Sequence, residues 1–366
     1  NNTIANNNVS SNKWGGISIW YSSNNIIANN TISLNDMSGI YLDAADSNTI
    51  ANNTFHLNGM RVLDSYNNTV VNNTVNGKPL VYLENVNDYV VEDAGQVIAI
   101  NSNNITIKDL NLSYASVGVE FWNTSNSKII NNNISNNWDG IRIEFFSSNN
   151  IIANNTVSTN NWAGICLYDS NNIVTNNTVS SNNEFGIIIV GYNNIITNNT
   201  VSSNNRVGIH TLNCINNFIY LNNFINNTDN VYSLGSTNIW NSTEPITYTY
   251  NGNTYTNYLG NYWSDYIGSD ADGDGIGDTP YSINGDKDYY PLMERFENYI
   301  VTPVPNQPPI ANFTYSPEKP VVNQLVTFDA SSSYDPDGKI TNYEWDFGDG
   351  NITNTTEEVI SHSYSE

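Results

Sequence analysis

The sequence predicts an all-β protein: a solenoid of coils about 22 residues long, a cap carrying an acidic loop, and a second, shorter run of alternating strands. Three observations carry this reading. First, one pattern recurs along the chain: Ile or Val, two residues, Asn, one residue, then Ile, Val or Phe, at steps of 23, 23, 20, 59, 23, 22, 22 and 23 residues. Second, a Gly-apolar-x-apolar segment follows each copy, and that period-two alternation is the signature of half-buried strands rather than helices. Third, the pattern stops abruptly before an Asp-Gly loop and a Pro-rich run, beyond which alternation returns.

The array occupies residues 1–230. Its leading apolar residue falls at Ile4, Ile27, Ile50, Val70, Ile129, Ile152, Val174, Ile196 and Ile219. The Asn column includes Asn30, Asn53, Asn73, Asn132, Asn155, Asn177, Asn199 and Asn222, and a degenerate copy near residues 105–112 partly fills the long step. Stacked coils bring identical side chains to a spacing of ~4.8 Å. Ile and Val then form a continuous core, and the Asn amides can hydrogen-bond in a ladder. Asn also suits the tight corners between strands, because it tolerates positive φ at low cost.

Residues 231–300 form the expected cap. Asp270, Asp272, Asp274 and Asp278 take positions 1, 3, 5 and 9 of an EF-hand-type loop, Gly275 takes position 6, and the Ile276 carbonyl would supply position 7. Alternate carboxylates of this kind converge on a hard cation, so calcium is the expected cofactor, locking the cap. Tyr281 stands where the loop would carry its bidentate Glu, which leaves Asp265, Asp286 or Asp288 as candidates for the missing ligand. Residues 301–309 read as a semi-extended Pro-rich linker, and 310–366 as the second strand module.

The repeat resembles the right-handed parallel β-helix of the pectate-lyase-like superfold. Gly77-Lys78-Pro79-Leu80-Val81-Tyr82-Leu83, Ala94-Gly95-Gln96-Val97-Ile98 and Tyr258-Leu259-Gly260-Asn261-Tyr262-Trp263-Ser264-Asp265-Tyr266 resemble its NosD-like branch, which is abundant in surface proteins of methane-producing archaea. The segments Asp329-Ala330-Ser331-Ser332-Ser333-Tyr334-Asp335-Pro336-Asp337-Gly338 and Trp345-Asp346-Phe347-Gly348-Asp349-Gly350 are similar to the polycystic-kidney-disease (PKD) domain, an immunoglobulin-like β-sandwich. Such modules usually act as extracellular spacers or adhesion units. The chain opens in mid-repeat with no signal peptide visible, and its PKD module stops before the final strands of such domains. A mature or excised fragment with an incomplete sandwich is therefore expected.

Composition excludes several classes. The formal net charge is -24, which opposes nucleic-acid binding by phosphate neutralisation. No apolar run approaches the ~18–20 residues of a membrane span. Asn supplies 73 of the 366 residues while charged residues make up 13%, so polarity here comes from amides, and 39% hydrophobic content can still build a core. Cys166 and Cys214 fall in different columns and are expected as free thiols; His56, His210 and His362 are scattered, so a copper-delivery role gains no support.

Lyases of this superfold place acids and Arg on outward positions of one sheet. The nearest equivalents here are Glu120 and Arg142 in one outward column and Glu144 in the next; they are weak catalytic candidates against the plainer reading of a salt bridge between Glu120 and Arg142 on a solvated face. Trp14, Trp138 and Trp162 share an outer position suited to glycan stacking or subunit contact. Asn-x-Ser/Thr occurs eighteen times, with Asn123, Asn241, Asn312 and Asn351 as glycosylation candidates. The expected function is a non-catalytic extracellular surface protein, stabilised by calcium, serving envelope architecture (an S-layer or sheath), adhesion or a filament. Its partners would be other copies of itself, envelope proteins or surface glycans. The alternatives are a polysaccharide lyase or hydrolase acting on acidic glycans, and a glycan-binding module.

Overall fold

A computed structural model of the chain describes residues 1–301, 308–335 and 339–365. Among the described residues the architecture is all-β, with the short 3-10 turn Phe296–Asn298 as the one helical segment. The chain divides into two compact units, Asn1–Val301 and Thr302–Glu366. The expected linker falls mostly on 302–307, and Pro336-Asp337-Gly338 of the PKD-like segment likewise lies outside the described residues.

The first unit is a β-solenoid of about eleven coils. Each regular coil contributes three strands, as in Val117–Trp122, Lys128–Ile130 and Asn133–Ser135, and each strand pairs in parallel register with its counterpart one coil on. Ile129, Ile152, Val174, Ile196 and Ile219 therefore stack as one column, Val119, Ile141, Ile165, Ile187 and Ile209 as another. All ten are fully buried, and each such side chain is worth roughly 1.5–3 kcal/mol of burial. The glycine column exists because the coils approach too closely for a side chain: a Cβ on Gly140 would stand 2.4 Å from the carbonyl oxygen of Gly164.

The corners divide the labour of Asn between two adjacent positions. The left-handed residue is the one before the ladder Asn: Asn154, Asn176 and Asn198 have φ of 56°, 55° and 56°. The ladder Asn itself is buried and works by hydrogen bonding. Asn177 Oδ1 accepts from both the backbone N–H and the Nδ2 of Asn155, each at 2.9 Å, and Asn177 Nδ2 donates to the Ile152 carbonyl at 2.8 Å. The expected Asn column behaves this way from Asn30 to Asn73 and from Asn132 through Asn222 to Asn261. Two further ladders occupy the other corners. One includes Asn150, Asn172, Asn194, Asn217 and Asn238, the other Asn137, Asn160, Asn182, Asn204 and Asn227.

The coils form two stacks rather than one uninterrupted series. Thr74–Val75 turns through Asn76 and Gly77, both at positive φ, and pairs antiparallel with Lys78 and Pro79; this is an Asn-Gly hairpin turn. The chain then runs parallel again from Leu80 to Glu84 against Gln96–Ile100. The degenerate copy is a true coil, with Asn103–Lys108 and Asn111–Ser113 in register with the coil that follows. In the first stack, the sheet of Gly15–Trp20, Ser38–Asp43 and Met60–Leu63 ends at its third strand. The backbone left open there is taken up by side chains of the second stack. Gln96 exchanges two hydrogen bonds with the Met60 backbone, and Glu120 Oε2 accepts from the Val62 N–H at 3.2 Å. Leu80, Ile98, Ile100 and Trp122, which alternate out of the second stack, complete the core of the first.

At the far end Trp240 and Trp263 close the last coil, with Trp263 stacked on Phe224 at 4.5 Å and Tyr281 stacked on Trp263. The second unit holds two small antiparallel sheets, one of Thr314–Ser316, Leu325–Asp329 and Val359–Ser363, the other of Tyr343–Asp346 and Ile352–Thr355. Among its described residues Val326, Ala330 and Trp345 are buried.

Removing one rung of a ladder tests the corner chemistry. Asn177→Ala strands the two donors of Asn155 and is expected to cost about 2–4 kcal/mol in denaturant unfolding. Asn205→Ala, at an exposed neighbouring position, should change stability by less than about 0.5 kcal/mol.

Candidate functional site

Three side-chain constellations merit description: the Glu120–Arg142–Glu144 group, the Asp270 loop and the outer tryptophans. In the sheet of long strands, Glu120 pairs in register with Arg142, and Trp122 with Glu144, as the repeat spacing implies. The solvated face expected there does not exist. Glu120 is fully buried against the Met60–Leu63 strand, and Arg142 and Glu144 are 9% and 6% exposed. Nor does Arg142 pair with Glu120. Its guanidinium binds Asp139 Oδ2 at 2.9 Å and Glu144, and lies over the Tyr168 ring at 4.5 Å from its centre. Glu120 instead turns to the Val62 backbone.

Burial pushes the Glu120 carboxyl up to about 8, against opposing attraction from Arg61 and Arg142 and with repulsion from Glu144. At neutral pH it is mainly the uncharged acid, which removes its need for a cation. Arg142 shifts up even though burial opposes this, since Asp139 and Glu144 outweigh it. Glu120 Oε1, Glu144 Oε2, Arg142 Nε and Arg61 Nε have no hydrogen-bond partner. Glu144 borders a shallow cleft with Trp122, Phe145, Phe146, Tyr168 and Asp169.

The acidic loop brings three of its carboxylates together. Oxygen atoms of Asp270, Asp272 and Asp274 lie within 4.8 Å of one another, a grouping that could hold a metal ion. Gly273 and Gly275 make the turn at positive φ, and their N–H groups donate to Asp270 at 2.7 and 2.8 Å. The hydroxyls of Tyr248, Tyr255 and Tyr299 bind the carbonyls of Asp274, Gly273 and Gly275, tying the loop to the aromatic cap. Burial raises the Asp274 carboxyl above its usual range; repulsion from Asp272 and Asp270 adds to this, while bonds from Ile276 N–H and Asn257 oppose it. Asp278 accepts from Ser269 Oγ and Ala271 N–H, and Ile276 bridges to Leu292.

The three acids considered as the missing ligand are engaged elsewhere. Asp288 is buried and accepts from Asn261 N–H, Trp263 Nε1 and Tyr290 N–H, which offset the burial that raises it to about 6. Asp286 accepts from Asn238 N–H and Trp240 Nε1, and Asp265 from Asn230 Nδ2 and the Tyr281 hydroxyl. Each terminates a corner ladder. A carboxylate only accepts hydrogen bonds, so it suits the end of a chain of donors. Their place in sequence near the Asp loop gave no sign of this.

Trp14 and Trp138 face one small cleft with Met37, Lys13 and Asp36, while Trp162 packs edge-on against Phe185 at 5.2 Å. Among the glycosylation candidates, Asn123 donates to Asn101 Oδ1 and Asn241 to the Ser242 carbonyl; Asn312 and Asn351 are exposed in the second unit. No helix of the described residues is long and apolar enough to cross a membrane.

Residues 1–94 match the family model of a right handed beta helix region and residues 306–366 that of a PKD domain, which defines the class: a parallel β-helix protein carrying a PKD module. Residues 78–268, more than half of the chain, match the family described as periplasmic copper-binding protein (NosD), and the chain belongs to that family. Among solved structures it is similar to carbohydrate-binding modules of the β-sandwich superfamily, at 49% identity over 17% of this chain and 24% of that one, with a TM-score of 0.16. It is also similar to a mutant of the periplasmic alginate epimerase AlgG, at 17% identity over 60% and 63% of the two chains, with a TM-score of 0.37. The Dettilon tailspike protein follows at 16% identity over 64% and 51%, with a TM-score of 0.33. The chain thus covers less than two thirds of the length of each.

The copper in the family description does not fit the residues present. Cys166 is fully buried against Asp139 and Arg142; Cys214 contacts Ser236 and Asn238 at another corner. His210 lies between Phe185 and Tyr232, His362 pairs with Asp349 in the second unit, and His56 is exposed on its own strand. Soft donors do not converge among the described residues; the one metal-like grouping is three hard carboxylates.

The buried Glu120 sets a pH dependence. Its folded pKa is raised above the unfolded value, so its contribution to stability is full below about pH 4.5 and is lost as pH rises through about 8. Glu120→Gln should therefore flatten the fall of the melting temperature between pH 5 and 9, with the largest gain over the parent protein at the alkaline end. Asp288 acts in the same sense at lower pH, so the measured quantity is the difference between the two proteins.

Proposed function

We propose that the chain is a non-catalytic architectural part of an extracellular or cell-surface protein, with a β-helix whose cap is locked by calcium. The observation that carries this reading is the covering of the outward acid–arginine column. The first stack closes over Glu120, and Arg142 is held by Asp139 and Glu144 at 9% exposure, so the acid and base that a substrate groove would need are taken up in internal contacts. The ladders running through both stacks, and the aromatic seal at Trp240 and Trp263, serve rigidity. A rigid β-helix with a PKD module suits a role in envelope architecture or adhesion, with other copies, envelope proteins or surface glycans as partners.

Calcium is proposed at Asp270, Asp272 and Asp274, with the Ile276 carbonyl and Asp278 completing the set. Three carboxylates at this range repel one another, and a hard divalent cation relieves that repulsion while fixing the loop to the tyrosines of the cap.

Two measurements test the proposal. Calcium at about a hundred times its dissociation constant should stabilise the first unit by about 2.7 kcal/mol and raise its melting temperature by about 4 °C. Asp272→Asn combined with Asp274→Asn should abolish the response, and a melting curve indifferent to calcium and chelator would refute the cap role. Against a panel of neutral and acidic polysaccharides no product should be released; product release that Glu144→Gln eliminates would establish an enzyme instead.

A further inference from the structure

We propose that the cleft beside Glu144 is a binding site for a neutral pyranose residue of a glycan, independent of the calcium loop and of any catalytic step. The cleft measures about 390 Å³, at the small end of ligand sites and suited to one or two sugar rings. Its lining includes Glu144, 6% exposed, with Oε1 held by Arg142 and Oε2 without a partner. A buried carboxylate oxygen left unpaired is costly, and a ligand hydroxyl is the group that would satisfy it.

The walls are aromatic. Trp122 and Phe145 stack at 4.8 Å with 12° between their planes, and Phe146 meets Phe145 at 4.5 Å and 63°. Phe145 is 42% and Phe146 69% exposed. Both hold positive φ, 47° and 55°, a conformation that bulky residues rarely adopt; the corresponding corners of the two preceding coils carry Asn101 and Asn123. This coil thus keeps two phenyl rings in solvent at a corner where Asn is the easier choice. Ring faces beside a hydrogen-bond acceptor match a pyranose, which offers C–H groups on one face and hydroxyl donors on its rim.

Charge selects among sugars. The residues lining the cleft include two acids, Glu144 and Asp169, and no cation; Arg142, behind Glu144, is already matched by Asp139 and Glu144. With two carboxylates and no cation in its lining, the cleft disfavours a uronate and admits a neutral sugar.

The test is saturation-transfer NMR on the full chain with maltose, cellobiose, lactose and methyl glucuronide. At least one neutral disaccharide should bind through its ring C–H protons, and the glucuronide should not. Phe146→Ala, at an exposed position and therefore folded, should weaken that binding roughly tenfold, the scale of one lost aromatic contact. Glu144→Gln should weaken it as well, while Trp14→Ala, in the separate cleft with Trp138, should leave it unchanged. Binding of none of the neutral sugars, equal binding of the glucuronide, or binding lost in Trp14→Ala but retained in Phe146→Ala would each overturn the proposal.

Discussion

The corners of the solenoid leave backbone N–H groups pointing along the stack, and a side chain one coil further on receives them: an Asn amide at most corners, a Ser or Thr hydroxyl at others. Asn177 illustrates the arrangement: its oxygen accepts twice from Asn155, and its nitrogen donates back to the coil before. Because buried polar groups are costly unless paired, this repeated exchange is what allows corners, and not only strands, to be buried. The apolar columns contribute most of the burial energy, but they can stack in register only if the corners stack too.

The ladder has a direction, donors of one coil meeting acceptors of the next, and so it needs an acceptor at its end. Carboxylates fill that role: Glu84 for Asn68, Asp286 for Asn238, and Asp288 for Asn261. Asp265 does the same for Asn230. Acids that look in sequence like the surroundings of a cation loop are thereby accounted for as terminators, and the grouping that could hold a metal ion is Asp270, Asp272 and Asp274.

The reversal at Asn76–Gly77 has the larger functional consequence. It divides the coils into two stacks and lays the end of the first against the outer face of the second, so that Gln96 and Glu120 serve as the missing next coil for Met60–Leu63. One side of the joint is sealed and holds a neutral Glu120. The other, at Phe145 and Phe146, stays open beside Glu144. The same joint therefore buries Glu120 and leaves an aromatic cleft at its edge.

The repeat period, the inward columns, the degenerate coil near residue 105 and the Asn ladder at Asn30–Asn73 and Asn132–Asn222 were all readable from the sequence. Each is set by contacts between a residue and its copy about 22 positions away, which a periodic sequence displays directly. The approach of Asp270, Asp272 and Asp274 to within 4.8 Å has a different origin: it is local, set by the turn at Gly273 and Gly275 inside the loop. What covers Glu120, why Arg142 prefers Asp139, and where Asp265, Asp286 and Asp288 point were decided by the tertiary structure. An outward side chain is free, paired or buried according to which distant segment arrives over it, and periodicity carries no information about that arrival. The Asn76–Gly77 turn was present in the sequence as a hairpin signature; the place it sends the first stack was not.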